Sequence, residues 1–553
     1  MSLHPVLRRA YAARGVRHSH ELSLTLDRLM PVGTLDGVDA AVRLILAHRE
    51  RRIVVVGDFD ADGATSTALI VRCLRAWGFA SVDFLVPNRF EFGYGLTPEI
   101  VSLAAERAPT LIVTVDNGIS SNAGVAAARE RGIQVLVTDH HLPGAVLPAA
   151  DVIVNPNVPG CNFGSKALAG VGVAFYVMAA VRRALDVLGT VAMPPVTDFL
   201  DLVALGTVAD LVPLDVNNRV LVSQGIRRIR AGRAVPGIRA LLSIGNRSMP
   251  TVTAADLGFT IGPRLNAAGR LDDMSIGIRC LLADTESEAL ALAMRLDQLN
   301  SERREIEARM QGAALAAVSH LRDTATEGPS RQGVCLFDAD WHQGVVGLVA
   351  SRIKDRIRRP VIAFARAGDG QLRGSARSVA GIHIRDVLDA MAARYPELIS
   401  RFGGHAMAAG LTIDEVSLDS FARAFDEEVA RWRDPAVPAN RIDTDGELSS
   451  EEIALETAQA LREGGPWGQA FPEPCFDGVF AVKNARMVGE KHLKMWVTSG
   501  DGARSFDAIA FNFRGADQDP ALPDGDVRLV YRLDINEYKG ERRLQLLVDH
   551  VLP

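Results

Sequence analysis

Four acidic segments within the first 210 residues carry the residue types of a cation site. Asp58, Asp60 and Asp62 alternate in GDFDADGATS, and Asp116 stands in VTVDNGIS. Asp139 is followed by His140 and His141 in VTDHH, and Asp210 falls in GTVADLVPL. Carboxylates crowded into one site raise each other's pKa strongly. Divalent cations resolve that conflict, and two of them about 3.5–4 Å apart, sharing a carboxylate, are the expected arrangement. Oxygen-rich ligation with one or two imidazoles favours manganese(II) or magnesium over structural zinc. Taken singly, each segment says little. A DxDG also occurs in calcium loops and plain turns, and a His-His pair also occurs as a cap or on a solvated surface. The EF-hand reading fails, because its twelfth position here is Leu69 rather than an acidic residue.

The conjunction gains weight from the elements that must position these groups. Apolar β-type runs start at Arg52 (RIVVVGD) and Ser81 (SVDFLVP), end at Asp116 (LIVTVD) and Asp139 (IQVLVTD), and resume from Asp151 (DVIVNP). Ala64–Gly78 between the first two reads as a helix. Such alternation predicts an α/β fold, a doubly wound parallel sheet with right-handed crossovers. Carboxyl ends of neighbouring strands in that sheet converge on one crevice, where ligands sit. Residues far apart in sequence would thereby meet.

Patterning divides the chain into an N-terminal helical segment (1–48), the sheet domain (49–240) and a helical connector (241–330). The connector includes one long helix, or two stacked ones, from about Thr285 to Leu321. A second, smaller α/β domain (331–433) starts at VCLFDADW. After a linker, 445–553 holds five short β runs that predict a closed barrel of the OB type.

Composition narrows the class. With 48% apolar and 23% charged residues, general disorder is excluded. No apolar run reaches the ~18–20 residues of a membrane span, and MSLHPVLRRAYAARG lacks a secretory core, so the expectation is a cytoplasmic protein. Five cysteines without a CxxC pair fit a reducing compartment and exclude a thiolate zinc site of that pattern. The net charge of −6 decides nothing about nucleic acid, because basic groups can still line one groove.

GDFDADGATSTAL, VDNGIS, TDHH and VADLVPL resemble, in order and spacing, the four motifs of the DHH phosphoesterase superfamily. NRFEFGYGL, GPRLNAAGRL, WHQGVVGLVASRIKDR, RGSARS and FGGHAMAAG are similar to its RecJ family of bacterial single-strand-specific exonucleases. The resemblance implies a 5′→3′ exonuclease acting on single-stranded DNA in recombination and repair, through two Mn(II) or Mg(II) ions. It implies metal ligands at Asp60 for one ion, Asp62, His140 and Asp210 for the other, and Asp116 between them. Val56 stands where some relatives carry a histidine, so that ligand would come from Asp58 or water. His141 would lie near the substrate phosphate, and Asp139 would orient His140 through a hydrogen bond.

The second α/β unit resembles the DHH-associated domain. There Gly403, Gly404 and His405, in GGHAMAAG, read as a turn opening a helix, whose free N–H groups would approach an anion. Arg373, Ser375 and Arg377, together with Arg89, Arg264, Asn266 and Arg270, are the further substrate-binding candidates. Trp341 and His342 fall at a strand-to-helix turn. In the barrel, Lys491, Lys494, Trp496, Tyr538, Lys539 and Arg543 could stack on or pair with a single strand. The 5′ nucleotide is expected between the two α/β lobes. Implied partners are single-stranded DNA, a single-stranded-DNA-binding protein and a recombination helicase; the chain is expected to be monomeric and free of membranes. Two other readings stay open, a small-substrate phosphoesterase and a metal-free binding protein.

Overall fold

After Arg52, five apolar or small residues in a row leave Ile53–Gly57 no polar face to show to water. In the computed structural model, which describes residues 3–88, 92, 94–189, 193–323, 331–432, 441–489, 491–513, 522–538 and 541–552, this run belongs to strand β1 (Arg52–Gly57). It is covered on both faces, as parallel strands are. Ser81–Leu85 (β2), Leu111–Val115 (β3), Gln134–Thr138 (β4) and Val152–Val154 (β5) join it in the order β2-β1-β3-β4-β5, every pair parallel. The order reverses direction at β1, so a crevice opens beside its carboxyl end. Val54, Val56, Ile112, Val135 and Val137 form one core of the sheet, packed against Ile100, Val101 and Val125.

The helices that complete this domain around the site are α1 (Pro5–Ala13), α2 (Ala61–Ala76), α3 (Gly170–Val187), α4 (Leu200–Ala209) and α5 (Val216–Arg230). The segment before β1 is less helical than its sequence predicts. Between α1 and the helix Val38–Ala47 lie three single 3₁₀ turns. Pro31 and the glycines 33 and 37 account for the breaks, since neither residue type favours a helix interior. A π-turn, Leu257–Ile261, leads into α6 (Gly262–Leu271), and α7 (Glu286–Asp323) is a single helix of 38 residues.

The chain forms two compact units, Met1–Gln298 with Thr444–Pro553, and Leu299–Asp443. The second unit contains strands β6 (Val334–Phe337), β7 (Val361–Gly368), β8 (Gln371–Arg377), β9 (Arg401–Gly404) and β10 (Ala408–Asp414), with α8 (Val346–Ile357). Their order is β6-β7-β8-β10-β9; β6 and β7 are parallel and the rest antiparallel. Phe364, Phe421 and Phe425 lie fully buried in its core.

The last five strands, β11 (Phe476–Val488), β12 (His492–Ser499), β13 (Ser505–Ala510), β14 (Gly525–Tyr538) and β15 (Glu541–Leu552), close into a barrel. Helix α1 is fastened to the segment leading into it. Arg14 pairs with Asp445 through two contacts, 2.6 and 3.0 Å, both side chains almost wholly buried. Tyr11 donates to the Gly464 carbonyl at 2.6 Å and lies against Trp467 and Phe471. Arg219 of α5 lies over the Phe471 ring, 4.1 Å from its centroid.

Candidate metal centre

Strand β1 ends in the first acidic loop. Asp60 is the N-cap of α2, its Oδ1 accepting the backbone N–H of Asp62 (2.9 Å) and Gly63 (3.0 Å). That cap turns Asp62 into the first turn of α2, where its carboxylate meets the N-terminus of α3. The N–H groups of Gly170 and Val171 donate to it at 2.6 and 2.9 Å. A side chain at position 170 would come within 2.7 Å of Asp116 Cβ, so the approach requires glycine.

Asp116, at the end of β3, takes a left-handed backbone, φ +60°. Such a conformation is uncommon outside glycine and costs energy that neighbours must offset. Asn117, fully buried, supplies part of the offset. Its amide donates to the carbonyls of Val56 and Val115 at 3.1 and 2.8 Å, tying the end of β1 to the end of β3.

His140 and His141 follow β4. Their backbone carbonyls accept the amides of Asn157 (2.5 Å) and Asn155 (2.9 Å), which follow β5. Asp139 holds the ring of His141, not that of His140. Its Oδ1 contacts His141 Nδ1 at 2.7 Å and accepts the backbone N–H of His140, while Oδ2 accepts from Ile119. The expectation for Asp139 is corrected accordingly; the peptide direction after β4 puts the second ring, two residues on, within its reach. Tyr94 Oη lies 3.1 Å from the Asp116 carbonyl and 3.3 Å from His141 Nδ1. Asp210 sits just beyond the end of α4.

These elements bring the acidic and imidazole groups together in three overlapping sets, each with ligand atoms within 4.8 Å of one another. They are Asp58, Asp60 and Asp116; Asp62, His140 and Asp210; and Asp116, His140 and His141. His140 Nε2 lies 3.1 Å from Asp116 Oδ1 and 3.5 Å from Asp210 Oδ2. Both of those oxygens are buried and accept no hydrogen bond. Val56, by contrast, is wholly buried among Leu96, Ile100 and Val101, so Asp58 is the β1-end residue turned into the cluster.

The electrostatics of so close a group are unfavourable without a cation. Burial, then the charge of Asp60, pushes the Asp62 carboxyl up to about 7 against the pull of its two N–H donors. Burial first and the neighbouring carboxylates second hold Asp116 and Asp210 well above the ordinary range. Asp139 goes the other way. Burial alone would raise it, but the hydrogen bond and charge of His141, with the Ile119 N–H, bring it below its usual value. Buried oxygens lacking hydrogen donors, an imidazole among them and mutually raised carboxylates are the donor set of hard divalent cations. The residues fit such ions.

The substrate-binding candidates divide. Arg89 lies outside the described residues. Asn266 of α6 is at the metal loop, but its Oδ1 accepts the Ala61 N–H at 2.8 Å, which makes it a brace for that loop. Arg264 is engaged within the fold. It is spent on Asp297 (2.8 Å) and the Thr260 carbonyl (2.6 Å), with only 11% of its side chain exposed. Arg270 closes the last turn of α6.

In the second unit, Gly403, Gly404 and His405 do not open a helix. They end β9 and turn directly into β10, with the His405 N–H donating to the Ala408 carbonyl. The small residues on both sides of the turn let the hairpin pair closely, and a Cβ on Gly404 would meet Ala409 Cα at 2.4 Å. A helix N-terminus that does lie against β8 in this unit is that of α8, after DADWHQGV. Arg373, Ser375 and Arg377 alternate along β8 and share a face. A Cβ on Gly347, in the first turn of α8, would lie 2.9 Å from both Ser375 Oγ and Arg377 Nη2. Gln343 accepts from Arg373 at 3.3 Å. Trp341 is buried at 8% exposure, a packing residue.

On the barrel, Trp496 is 49% exposed, and Lys494 on the same strand faces Asp507 at 3.2 Å. Arg543 pairs with Glu541, Lys491 lies in the turn before β12, and Tyr538 and Lys539 have no described side chains.

Comparison with known proteins agrees with this architecture. Residues 52–207 match the DHH family N-terminal domain, 331–431 the DHHA1 domain and 444–550 the RecJ OB domain. The single-stranded-DNA-specific exonuclease RecJ of Escherichia coli K12 is 54% identical over 100% of this chain and 96% of its own. That of Haemophilus influenzae is 52% identical, over 100% and 97%. The chain belongs to the RecJ family. A crystal structure of RecJ in complex with Mn2+ from Thermus thermophilus superimposes with a TM-score of 0.82 at 31% identity, over 100% of this chain and 76% of that one.

Sequence reasoning missed several residues that brace the acidic and histidine cluster. Asn117, Asn155 and Asn157 act through backbone carbonyls, a contact that no pattern of residue types announces. Tyr94 lay inside NRFEFGYGL, but only the fold brings it to His141.

Proposed function

We propose that this chain is a metal-dependent exonuclease that hydrolyses phosphodiester bonds of single-stranded DNA from the 5′ end. The observation that carries the reading is the pair of three-residue sets, Asp58–Asp60–Asp116 and Asp62–His140–Asp210, lying side by side at the carboxyl ends of the sheet. Asp58, Asp60 and Asp116 would hold one Mn(II) or Mg(II) ion, and Asp62, His140 and Asp210 a second. When bound, the ions supply Lewis acidity toward the phosphoryl oxygens and lower the pKa of water.

The rest of the work falls to the chain. Asp139 fixes the His141 ring, which we assign to the substrate phosphate. Arg373, Ser375 and Arg377, beside the N-terminus of α8, offer a guanidinium, a hydroxyl and backbone N–H groups to a phosphate of the strand. Trp496 and Lys494 offer the barrel's stacking and charge to bases further along. The family also suggests a single-stranded-DNA-binding protein and a helicase as partners, a monomeric state and a role in recombination and repair. Five cysteines without a disulfide fit a cytoplasmic setting, and among the described residues no helix is long and apolar enough to cross a membrane.

The test uses 5′-blocked, 3′-blocked and open single strands, and a duplex of equal length, with Mn2+. We expect loss of digestion on blocking the 5′ end, slow attack on the duplex, and loss of at least about 10³-fold in Asp116→Ala. Equal digestion of single strand and duplex, or an active Asp116→Ala, would refute the assignment.

A further inference from the structure

Among the described residues, no Phe, Tyr or Trp side chain is more exposed than Phe259, at 81%. A single exposed apolar side chain is ordinary. The backbone that presents this one is not. Phe259 occupies the middle of the π-turn Leu257–Ile261, and inserted π-turns occur mostly as single bulges, frequently at functional sites. The turn is braced from two sides. Arg247 Nε reaches Thr260 Oγ1 at 3.3 Å and Asp256 at 3.2 Å, and Arg264 donates to the Thr260 carbonyl at 2.6 Å while anchored on Asp297. The ring is therefore held in water on a fixed frame.

The frame is also built against the metal centre. A Cβ on Gly258 would lie 3.2 Å from Val208, and one on Gly262 3.4 Å from Ala209 Cβ, so the turn rests on the last turn of α4. The next residue of that helix is Asp210. Leu211, just beyond it, is 68% exposed in a left-handed conformation, φ +59°. In the other direction, α6 runs to Asn266, which holds the Ala61 N–H beside Asp60 and Asp62. Phe259 and Asn266 are seven residues apart, about 10 Å along a helix axis.

We propose that Phe259 is a stacking platform for one base of the single strand close to the scissile phosphate. The proposal rests on the single-strand nuclease reading above. A flat aromatic ring on a braced turn that packs against the helix leading to Asp210 suits a ligand whose phosphate goes to the ions and whose base needs an apolar face. Every base has such a π-face, so the contact would hold the strand without reading its sequence.

The experiment measures binding of a fluorescein-labelled oligo(dT) by anisotropy with the full chain in EDTA, for wild type, Phe259→Ala, Phe259→Leu and Phe259→Trp. Oligomers carrying one abasic site, moved position by position, complete the set. We expect Phe259→Ala and Phe259→Leu to weaken binding about 5- to 150-fold, the worth of one base on one ring, and Phe259→Trp to retain it. We further expect one abasic position to weaken wild type by the same factor and to leave Phe259→Ala unaffected. Phe259→Ala binding as tightly as wild type, or losing affinity equally at every abasic position, would overturn the proposal. So would a variant altered only in self-association. Wild type binding single strands no better than duplex would instead bring down the parent reading, and this proposal with it.

Discussion

Removing the cations with a chelator should make the first unit less stable as pH rises, the reverse of ordinary acid denaturation. The size follows from Asp62. Its carboxyl ionises near 3.8 in an unfolded chain and is pushed up to about 7 in the folded one by burial and by Asp60. A group whose folded pKa is raised contributes stability that is fully present below the unfolded value and lost as pH climbs through the folded value. The window therefore runs from about pH 4 to about pH 7. Three pH units at about 1.4 kcal/mol each give a loss of about 4 kcal/mol from Asp62 alone, and Asp116 and Asp210 act in the same direction. Mn2+ competes with those protons, so its stabilising effect should grow with pH and reach about 3 kcal/mol at a hundredfold excess over its dissociation constant. Urea titrations at pH 5.5 and pH 8, with EDTA and with Mn2+, sample the upper half of that window, about 2 kcal/mol of the loss, together with the Mn2+ effect. Asp62→Asn keeps the shape, removes the titrating group and should flatten the EDTA slope. A chelated protein that gains stability between pH 5.5 and 8, or an equal Mn2+ effect at both, would refute the reasoning.

Other outcomes stem from contacts described above. Asn157→Ala, which frees the His140 carbonyl, should weaken Mn2+ binding about 10- to 100-fold in isothermal titration while leaving the fold intact, as loss of an outer partner of a metal site typically does. Arg14→Ala strands the buried Asp445 carboxylate and should cost about 3–5 kcal/mol in denaturant unfolding, whereas an apolar replacement of both partners should cost less. Trp496→Ala should weaken binding of long single strands by about 1–3 kcal/mol, yet leave the hydrolysis rate of a dinucleotide unchanged.

The sheet was legible because apolar runs bounded by Asp and Gly leave little choice of structure, and because strand order in such folds is constrained. The acidic positions after β1, β3 and β4 could be placed on strand ends for the same reason, whereas Asp210 follows helix α4. The residues did not announce which neighbour each side chain would choose. Arg264, in a motif shared with substrate candidates, is drawn to Asp297, a residue 33 positions away on another helix. GGHAMAAG carries the glycines of an anion-binding turn, but it runs on into AAGLTID, which alternates as a strand does; the alternation, read over the longer window, was the better guide. Asp139 selected the farther of two adjacent histidines, a difference of one peptide that only the backbone direction after β4 decides.

The grip of Arg14 on Asp445 joins positions 431 residues apart in the chain. On a ribosome adding roughly 5–20 residues per second, the first helix emerges some tens of seconds before its anchor exists. Through that interval its greasy side, with Val6, Leu7, Ala10 and Tyr11, has no native surface to rest on. A clasp of this kind ties the earliest helix to the latest domain, so it can close only once the barrel's leading segment has been made.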